Sequence, residues 1–323
     1  MSTRWTRQSE RGSPILVRLI GWVTLKLGRW AARLLLYPIT LYFFLTAGEQ
    51  RRASRQFLSR VRGRDVGWWS VLRHIHCFAC TILDRVYFVA GDYQRFELSL
   101  HGFDAAVEQV SDGRGCILLG AHVGSFEVMR MLGMVDDRVD VKVLMYEEHN
   151  VTITNLIYTL NPHFSESIIP LGGLDSLLRV KECLERSELV GILGDRTAEN
   201  DRITHCRFFG REATFPAGPM LLASVLEVPV QLFFGLYLGN NRYALHFEPF
   251  ADEVKIRRTH RDEDVQMWTQ RYADRLEHYA RLAPYNWFNF YDFWNTHSRP
   301  HERSPEASGS RGHGHVPGGP APV

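Results

Sequence analysis

The chain has 323 residues, 45% of them hydrophobic and 23% charged, enough apolar material for one large core and too much for a disordered chain. Its formal net charge is only +2, with 36 acidic residues nearly cancelling 38 basic ones. That balance excludes a nucleic-acid footprint over the whole surface and leaves any basic surface local. Five cysteines scattered along the sequence make no disulfide framework and fit a reducing compartment. Lysine is scarce (Lys26, Lys142, Lys181, Lys255), so arginine carries the positive charge, and its planar fork suits phosphate and carboxylate groups.

Residues 1–60 are basic and then apolar, with no small-residue cleavage site of the kind that ends a signal peptide. On a helix of about 100° per residue, Arg18, Lys26, Arg29 and Arg33 fall within one arc and Ile15, Leu16, Leu19, Ile20, Trp22, Val23 and Leu27 cover much of the remainder. The uncharged run 34–47, broken by Pro38, is shorter than the roughly 20 residues that span a bilayer. Arg51, Arg52 and Arg55 follow. The block reads as an amphipathic, membrane-associating segment drawn to anionic head groups, with a hairpin tucked into the protein as the competing reading.

Residues 61–295 form the expected main domain. Cys77 and Cys80 make a C-x-x-C beside His74 and His76, but no second pair stands at zinc-site spacing, so the apolar periodicity of 71–89 reads as a packed helix and no metal is expected. From Arg114 onward, short apolar runs alternate with helical stretches. Strands are predicted at 116–119, 141–145, 168–171, 189–193, 228–236 and 243–247, and helices at 126–133, 151–160, 174–186 and 219–226. This is the pattern of an α/β fold with a mixed, mostly parallel central sheet covered by helices. Residues 296–323, rich in Ser, Gly, Pro, His and Arg, read as a disordered tail.

The stretch Gly120, Ala121, His122, Val123, Gly124, Ser125, Phe126, Glu127 reads as strand, tight turn and helix. It places His122 at a strand's carboxyl end, where open α/β sheets bind ligands, with glycines that let backbone approach a substrate. Four residues separate His122 from Glu127. A glutamate in the helix can fold back to hold one imidazole nitrogen and leave the other to take a proton. A hydroxyl is far too weakly acidic to attack an acyl carbonyl unless a base removes its proton as the bond forms. There is no G-x-S-x-G elbow, so direct transfer is expected rather than a covalent acyl-enzyme.

These residues, with "GILGDR" at 191–196, "RFFGREATFPAGP" at 207–219 and Val228, Pro229, Val230 and Phe233 in the same order, resemble the lipid A biosynthesis lauroyl/myristoyl acyltransferases, within the wider H-x4-D/E glycerolipid acyltransferases. The resemblance covers roughly residues 15–295. It implies transfer of a fatty acyl chain from an acyl carrier protein or coenzyme A thioester to a lipid or glycolipid hydroxyl, at the cytoplasmic face of a bacterial inner membrane, by a peripheral or monotopic enzyme that needs no cofactor beyond its co-substrate. It implies a dyad of His122 and Glu127, and substrate binding by Asp195, Arg196, Gly124, Ser125, Phe209, Gly210 and Gly218, with Arg196 on the acceptor's polar head or on the oxyanion. Pro216 and Pro219 belong to the same block, and Glu212 is a weaker carboxylate candidate. The aromatic ending at 283–294 and the "ILDRVYF" block at 82–88 resemble an aryl-polyene-type or other specialised-lipid branch. The six aromatic residues from Trp287 to Trp294 either line a mouth where acyl chain meets head group or pack as a lid on the core. A thioesterase or lipid hydrolase using the same dyad, and a non-catalytic lipid-binding protein, are the alternatives.

Overall fold

A computed structural model describes residues 28–129, 139–145, 167–198 and 201–294. The predicted helix 151–160, the second half of the predicted helix 126–133, Arg18, Lys26 and the tail 296–323 lie outside the described residues. Helices α1 (Gly28–Thr46), α2 (Gly48–Arg62) and α3 (Trp68–Val89) come first, followed by β1 (Glu97–His101) and α4 (Phe103–Ser111). Then come β2 (Cys116–Gly124), β3 (Val141–Met145), β4 (Ile168–Pro170), α5 (Gly173–Glu185) and β5 (Leu189–Leu193). A hairpin of β6 (Ile203–Phe208) and β7 (Arg211–Pro216) leads into α6 (Gly218–Leu226), and β8 (Val230–Gly239), β9 (Arg242–Ala251) and α7 (Arg261–Leu282) complete the order.

Seven strands form one sheet in the order β1-β9-β8-β2-β5-β3-β4. Only the β8/β9 pair is antiparallel, so the fold is mixed α/β with a mostly parallel sheet. Parallel strands covered on both faces need apolar side chains in both directions. Accordingly, Ile117, Leu119, Ala121 and Val123 of β2 join a core with α2, α5, α6 and α7, while Cys116 and Leu118 join a second core with α1, α3 and α4. The short stretch beginning at Glu127 leaves β2 on the second face, burying Val128 and Met129 there, whereas α6, which follows β5 and the hairpin, packs Met220 and Ala223 on the first. Adjacent strands whose connections leave to opposite faces open a crevice at their carboxyl ends.

Several segments differ from expectation, helices α4 and α7 among them. Strand β1 and the hairpin β6/β7 are strands that apolar alternation alone does not announce. The described half of the basic arc, Arg29 and Arg33 on α1, is also not a surface stripe: Arg29 makes a bidentate pair with Asp84 on α3 at 2.7 and 2.8 Å, and Arg33 approaches the same carboxylate at 3.7 Å. Asp84 is fully buried, and a carboxylate removed from water needs such partners, so the arginines turn inward. What α1 presents to solvent instead is apolar, namely Trp30, Leu34, Leu35, Tyr37, Leu41, Tyr42 and Leu45. Among the described residues no single helix is long and apolar enough to cross a membrane; α1 and α2 reach that composition only as a pair, bent by 95°.

Candidate active site

Strands β2 and β5 run parallel in register, with Gly120 opposite Leu193. Two residues beyond that pair stand His122, still within β2, and Asp195, just past the end of β5. Between Gly120 and Gly124 the β2/β8 register slips, so that four steps on β2 match two on β8, from Phe233 to Gly235. Such a bulge lifts the intervening backbone out of the ladder and re-aims its side chains. Gly124 closes the bulge at φ +65°, and a Cβ there would lie 1.9 Å from the Gly235 carbonyl, so no other residue fits.

The backbone groups that the bulge frees find other partners, as buried peptide groups must. The Gly120 carbonyl accepts from Tyr272 Oη at 2.7 Å and from Gly194 N at 3.0 Å. The His122 N–H donates to both oxygens of Asp195, at 3.2 and 3.1 Å, and the His122 carbonyl accepts from Phe288 N at 2.8 Å. Gly124 N donates to the Asn286 carbonyl at 2.8 Å, and Val123 bridges Trp287 in antiparallel sense.

The same Asp195 holds the imidazole. Its Oδ1 lies 2.7 Å from His122 Nδ1, while Oδ2 accepts from Trp287 Nε1 at 2.9 Å and Asn289 Nδ2 at 3.1 Å. Burial alone would raise this carboxyl. The His122 imidazole, the Arg196 cation and the Trp287 indole outweigh burial and hold it down to about 2. An ionised carboxylate only accepts, so Nδ1 carries the proton and the neutral ring's Nε2 lone pair is left available. No described group bonds Nε2, and the His122 side chain keeps 30% exposure. Burial first, and then the Arg196 cation, lower the His122 pKa below its usual 6.5, with Asp195 and Glu127 opposing. The pair is thus poised as carboxylate and neutral base.

The expected partner, Glu127, is placed otherwise. It begins the helical turn after β2, and its carboxylate pairs with Arg85 of α3 at 2.6 Å. It stays within electrostatic reach of His122, but the ring's bonding partner is Asp195. Arg196 gives Nε to Asn289 Oδ1 at 2.7 Å and Nη2 to the Phe288 carbonyl at 2.8 Å, so much of its hydrogen bonding secures the C-terminal segment. Ser125 is buried, its N–H on the Gly235 carbonyl at 2.8 Å.

Phe209 and Gly210 form the two-residue turn of the β6/β7 hairpin, at φ +49° and +76°. That is the backbone sense that fits a tight hairpin, and it is unusual for a bulky residue. Phe209 is held there by its N–H on Glu277 Oε2 at 2.5 Å and by packing on Phe57 and Phe208. Phe208 in turn stacks edge-on against Trp287. Gly218 opens α6, with Pro219 at its first turn. Glu212 lies on the exposed hairpin beside His205, with 3.4 Å between Oε1 and Nδ1. His122, Asp195, Arg196, Gly124 and Ser125 therefore come together, Glu127 stands beside them, and the hairpin residues support the site from behind.

The aromatic C-terminus is a packed lid. Trp287, Phe288 and Phe293 are buried, as are Asn286 and Asn289. Asn286 pairs both backbone groups of Tyr237 at 2.6 and 3.1 Å. Trp287 is also anchored from the other side: His74 Nε2 donates to its carbonyl at 3.0 Å, and His74 Nδ1 accepts from Ser54 Oγ at 2.8 Å. His74 is fully buried, and burial lowers it to about 4 despite that bond, so it is neutral. The sequence reading marked the segment from Trp287 onward as a mouth or a lid, and the structure makes it a lid; what it missed is that Trp287 and Asn289 bond Asp195, and that His74 and Arg85 belong to the surroundings of the site.

Cys77 and Cys80 are free thiols on α3, with Cys77 pushed up to about 12 chiefly by burial, and among the described residues no three potential ligands gather to hold a metal ion.

Comparison with curated proteins returns no match. A sequence model of the bacterial lipid A biosynthesis acyltransferases matches residues 83–296, a span that holds β2 with His122, β5 with Asp195 and the C-terminal lid. The chain belongs to the bacterial lipid A biosynthesis acyltransferase family, and it is an acyltransferase.

Proposed function

We propose that the protein transfers a fatty acyl chain from an acyl carrier protein or coenzyme A thioester to a hydroxyl of a lipid or glycolipid, with His122 as general base. The observation that carries this reading is the 2.7 Å contact of His122 Nδ1 with an Asp195 carboxylate that three further donors fix in place. His122 Nε2 takes the acceptor's proton as its oxygen attacks the thioester carbonyl. The tetrahedral intermediate then expels the thiolate, which recovers the proton from the imidazolium, so no acyl-enzyme forms and no resident cofactor takes part. Asp195 fixes the tautomer and stabilises the imidazolium. Arg196, close enough to depress the imidazole, keeps Nη1 for the oxyanion or the acceptor's polar head. Glu127, held by Arg85, is the second carboxylate of the site.

The exposed apolar face of α1 supports peripheral or monotopic attachment, and with the free thiols it supports the cytoplasmic face of a bacterial inner membrane. The likeness of the blocks at 82–88 and 283–294 to a specialised-lipid branch supports an acceptor of that kind. The deciding assay incubates acyl thioester with and without lipid acceptor. Acceptor-dependent acyl-lipid is the expected product, and it falls by at least about 10³-fold in His122→Ala, the loss typical of a removed base or nucleophile. Free acid formed at the same rate without acceptor makes the protein a thioesterase, and retained transfer by His122→Ala removes the base from the mechanism.

A further inference from the structure

A second feature lies apart from the catalytic crevice. A groove of about 530 Å³ is lined by Arg52, Arg55, Arg60 and Arg64 from α2 and the turn after it, by Trp68 at the start of α3, and by Arg211 from the hairpin β6/β7. Asp65 is the one acidic group on its wall, and none of the five arginines makes an ion pair with a described carboxylate. In a chain of net charge +2, five guanidiniums gathered from two separate parts of the chain form a strongly local positive field.

The geometry holds these cations together despite their repulsion. Gly63, in the left-handed conformation at φ +63°, turns the chain sharply at the end of α2 and brings Arg64 back beside Arg60. Arg60 stacks on Trp294 at 4.2 Å, and its Nε is buried without an acceptor. Burial and then Arg211 depress the Arg60 cation, with Asp292 only partly opposing them, as expected where like charges outnumber the nearby carboxylate.

The groove also adjoins apolar surface. Arg51 lies over the rings of Phe44 at the end of α1 and of Trp68, at 5.3 and 5.4 Å, and Arg55 covers Trp68 at 5.1 Å. Trp68 and Trp69 are both exposed, as are Leu41, Tyr42 and Leu45 on α1. Apolar side chains, then tryptophan, then arginine is the order of chemistry met on leaving a bilayer through its head groups. We propose that this groove binds the phosphate of an anionic membrane lipid, whose chains lie along the exposed face of α1. The assignment rests on the membrane attachment argued above and adds to it a specific head-group site.

Flotation of the full-length protein with phosphatidylcholine vesicles, with and without phosphatidylglycerol, tests both. The variant is Arg64→Gln with Arg211→Gln, two exposed positions whose loss leaves the core intact. Arg179→Gln on α5 controls for bulk charge, and Leu41→Ser with Leu45→Ser probes the apolar face. The expected result is a preference for phosphatidylglycerol that drops about 30-fold in the arginine pair, two cations' worth at an anionic surface. Binding to phosphatidylcholine alone should stay unchanged in that pair and weaken in the leucine pair.

A wild-type protein that floats with neither vesicle overturns the membrane attachment and the groove with it. Flotation whose phosphatidylglycerol preference survives in the arginine pair, or falls equally in Arg179→Gln, overturns the groove alone. Inorganic phosphate that displaces the protein from phosphatidylglycerol, at an ionic strength where chloride does not, with direct binding lost in the arginine pair, identifies a site for soluble phosphate. An unchanged preference with a raised KM for an acyl carrier protein thioester assigns the groove to the donor's acidic carrier. Each of the last two results replaces the lipid assignment.

Discussion

The carboxyl end of β5 and the first turn after β2 each bring a carboxylate toward His122, and the two are built very differently. Asp195 is fully buried and accepts from the imidazole, the His122 amide, an indole and an asparagine. Glu127 is partly exposed and, among the described residues, pairs with one group of opposite charge, Arg85. A carboxylate surrounded by fixed donors is pre-organised and adds no rearrangement as charge develops on the ring. A carboxylate in a single ion pair can change partners. The difference separates a group that fixes the base from one that is free to answer to substrate.

The largest effect that tests this contrast is Asp195→Asn. The amide keeps the shape of the cage but offers an N–H where the imidazole needs an acceptor, favouring the wrong tautomer. As for a catalytic-triad aspartate replaced by asparagine, kcat should fall about 10⁴-fold, with little change in KM for the thioester. Single-turnover transfer measures it. A loss of under tenfold would put the orienting role elsewhere.

His74 sharpens the contrast from behind, because it ties Trp287, and through it Asp195, to α2 and α3. Its pKa falls from 6.5 to about 4 on folding. A buried neutral histidine is lost to protonation in acid, so its contribution is complete above pH 6.5 and disappears as pH falls through 4, a change of roughly 3 kcal/mol. His74→Gln retains a donor for the Trp287 carbonyl and an acceptor for Ser54 while removing the titration. Urea midpoints of the variant should decline less than wild type between pH 6.5 and 4, and parallel decline in the two would remove His74 as the titrating group. Glu127 has no such support from α2.

Glu127→Gln comes next. Losing one charge-assisted contact to Arg85 is worth about 1.5–3 kcal/mol, so transfer should fall about 10- to 100-fold, well short of Asp195→Asn. Equal losses in the two variants would break the comparison and return Glu127 to the imidazole.

The physical reason sequence favoured Glu127 is that periodicity is local. Strands β2, β3, β5 and β8 were legible because strands buried on both faces leave nearly continuous apolar runs, such as Cys116 to Leu119 and Leu189 to Leu193. His122 was legible because it ends such a run between glycines. Asp195 appeared as a residue of the site but not as the ring's partner, since that depends on β5 lying next to β2, and no spacing along the chain encodes strand adjacency. Strand β1 is mostly exposed and reads as loop. The hairpin turn hides because Phe209 occupies a left-handed position normally marked by Asn or Gly. Arg29 and Arg33 misled for the same reason as Glu127: the two do share a face of α1, but Asp84, which draws them inward, lies on α3.

The smallest effect concerns Arg196, which faces both carboxylates' shared histidine. Its cation lowers the His122 pKa, and Asp195 and Glu127 raise it. The base must be neutral to work, so the rate is present above its pKa and lost as pH falls through it, an acid limb lying below pH 6.5. Arg196→Gln removes the depressing charge and should move that limb upward, toward neutrality. Glu127→Gln removes a raising charge and should move it downward. Because Arg196 also donates to Asn289 and the Phe288 carbonyl, a purely structural defect would lower the rate at every pH without displacing the limb. The pH profile of kcat/KM for the thioester therefore separates the two causes, and opposite displacements in the two variants would show that both charges act through the imidazole. Displacement in Arg196→Gln alone would leave Glu127 as a partner of Arg85 that the base does not sense.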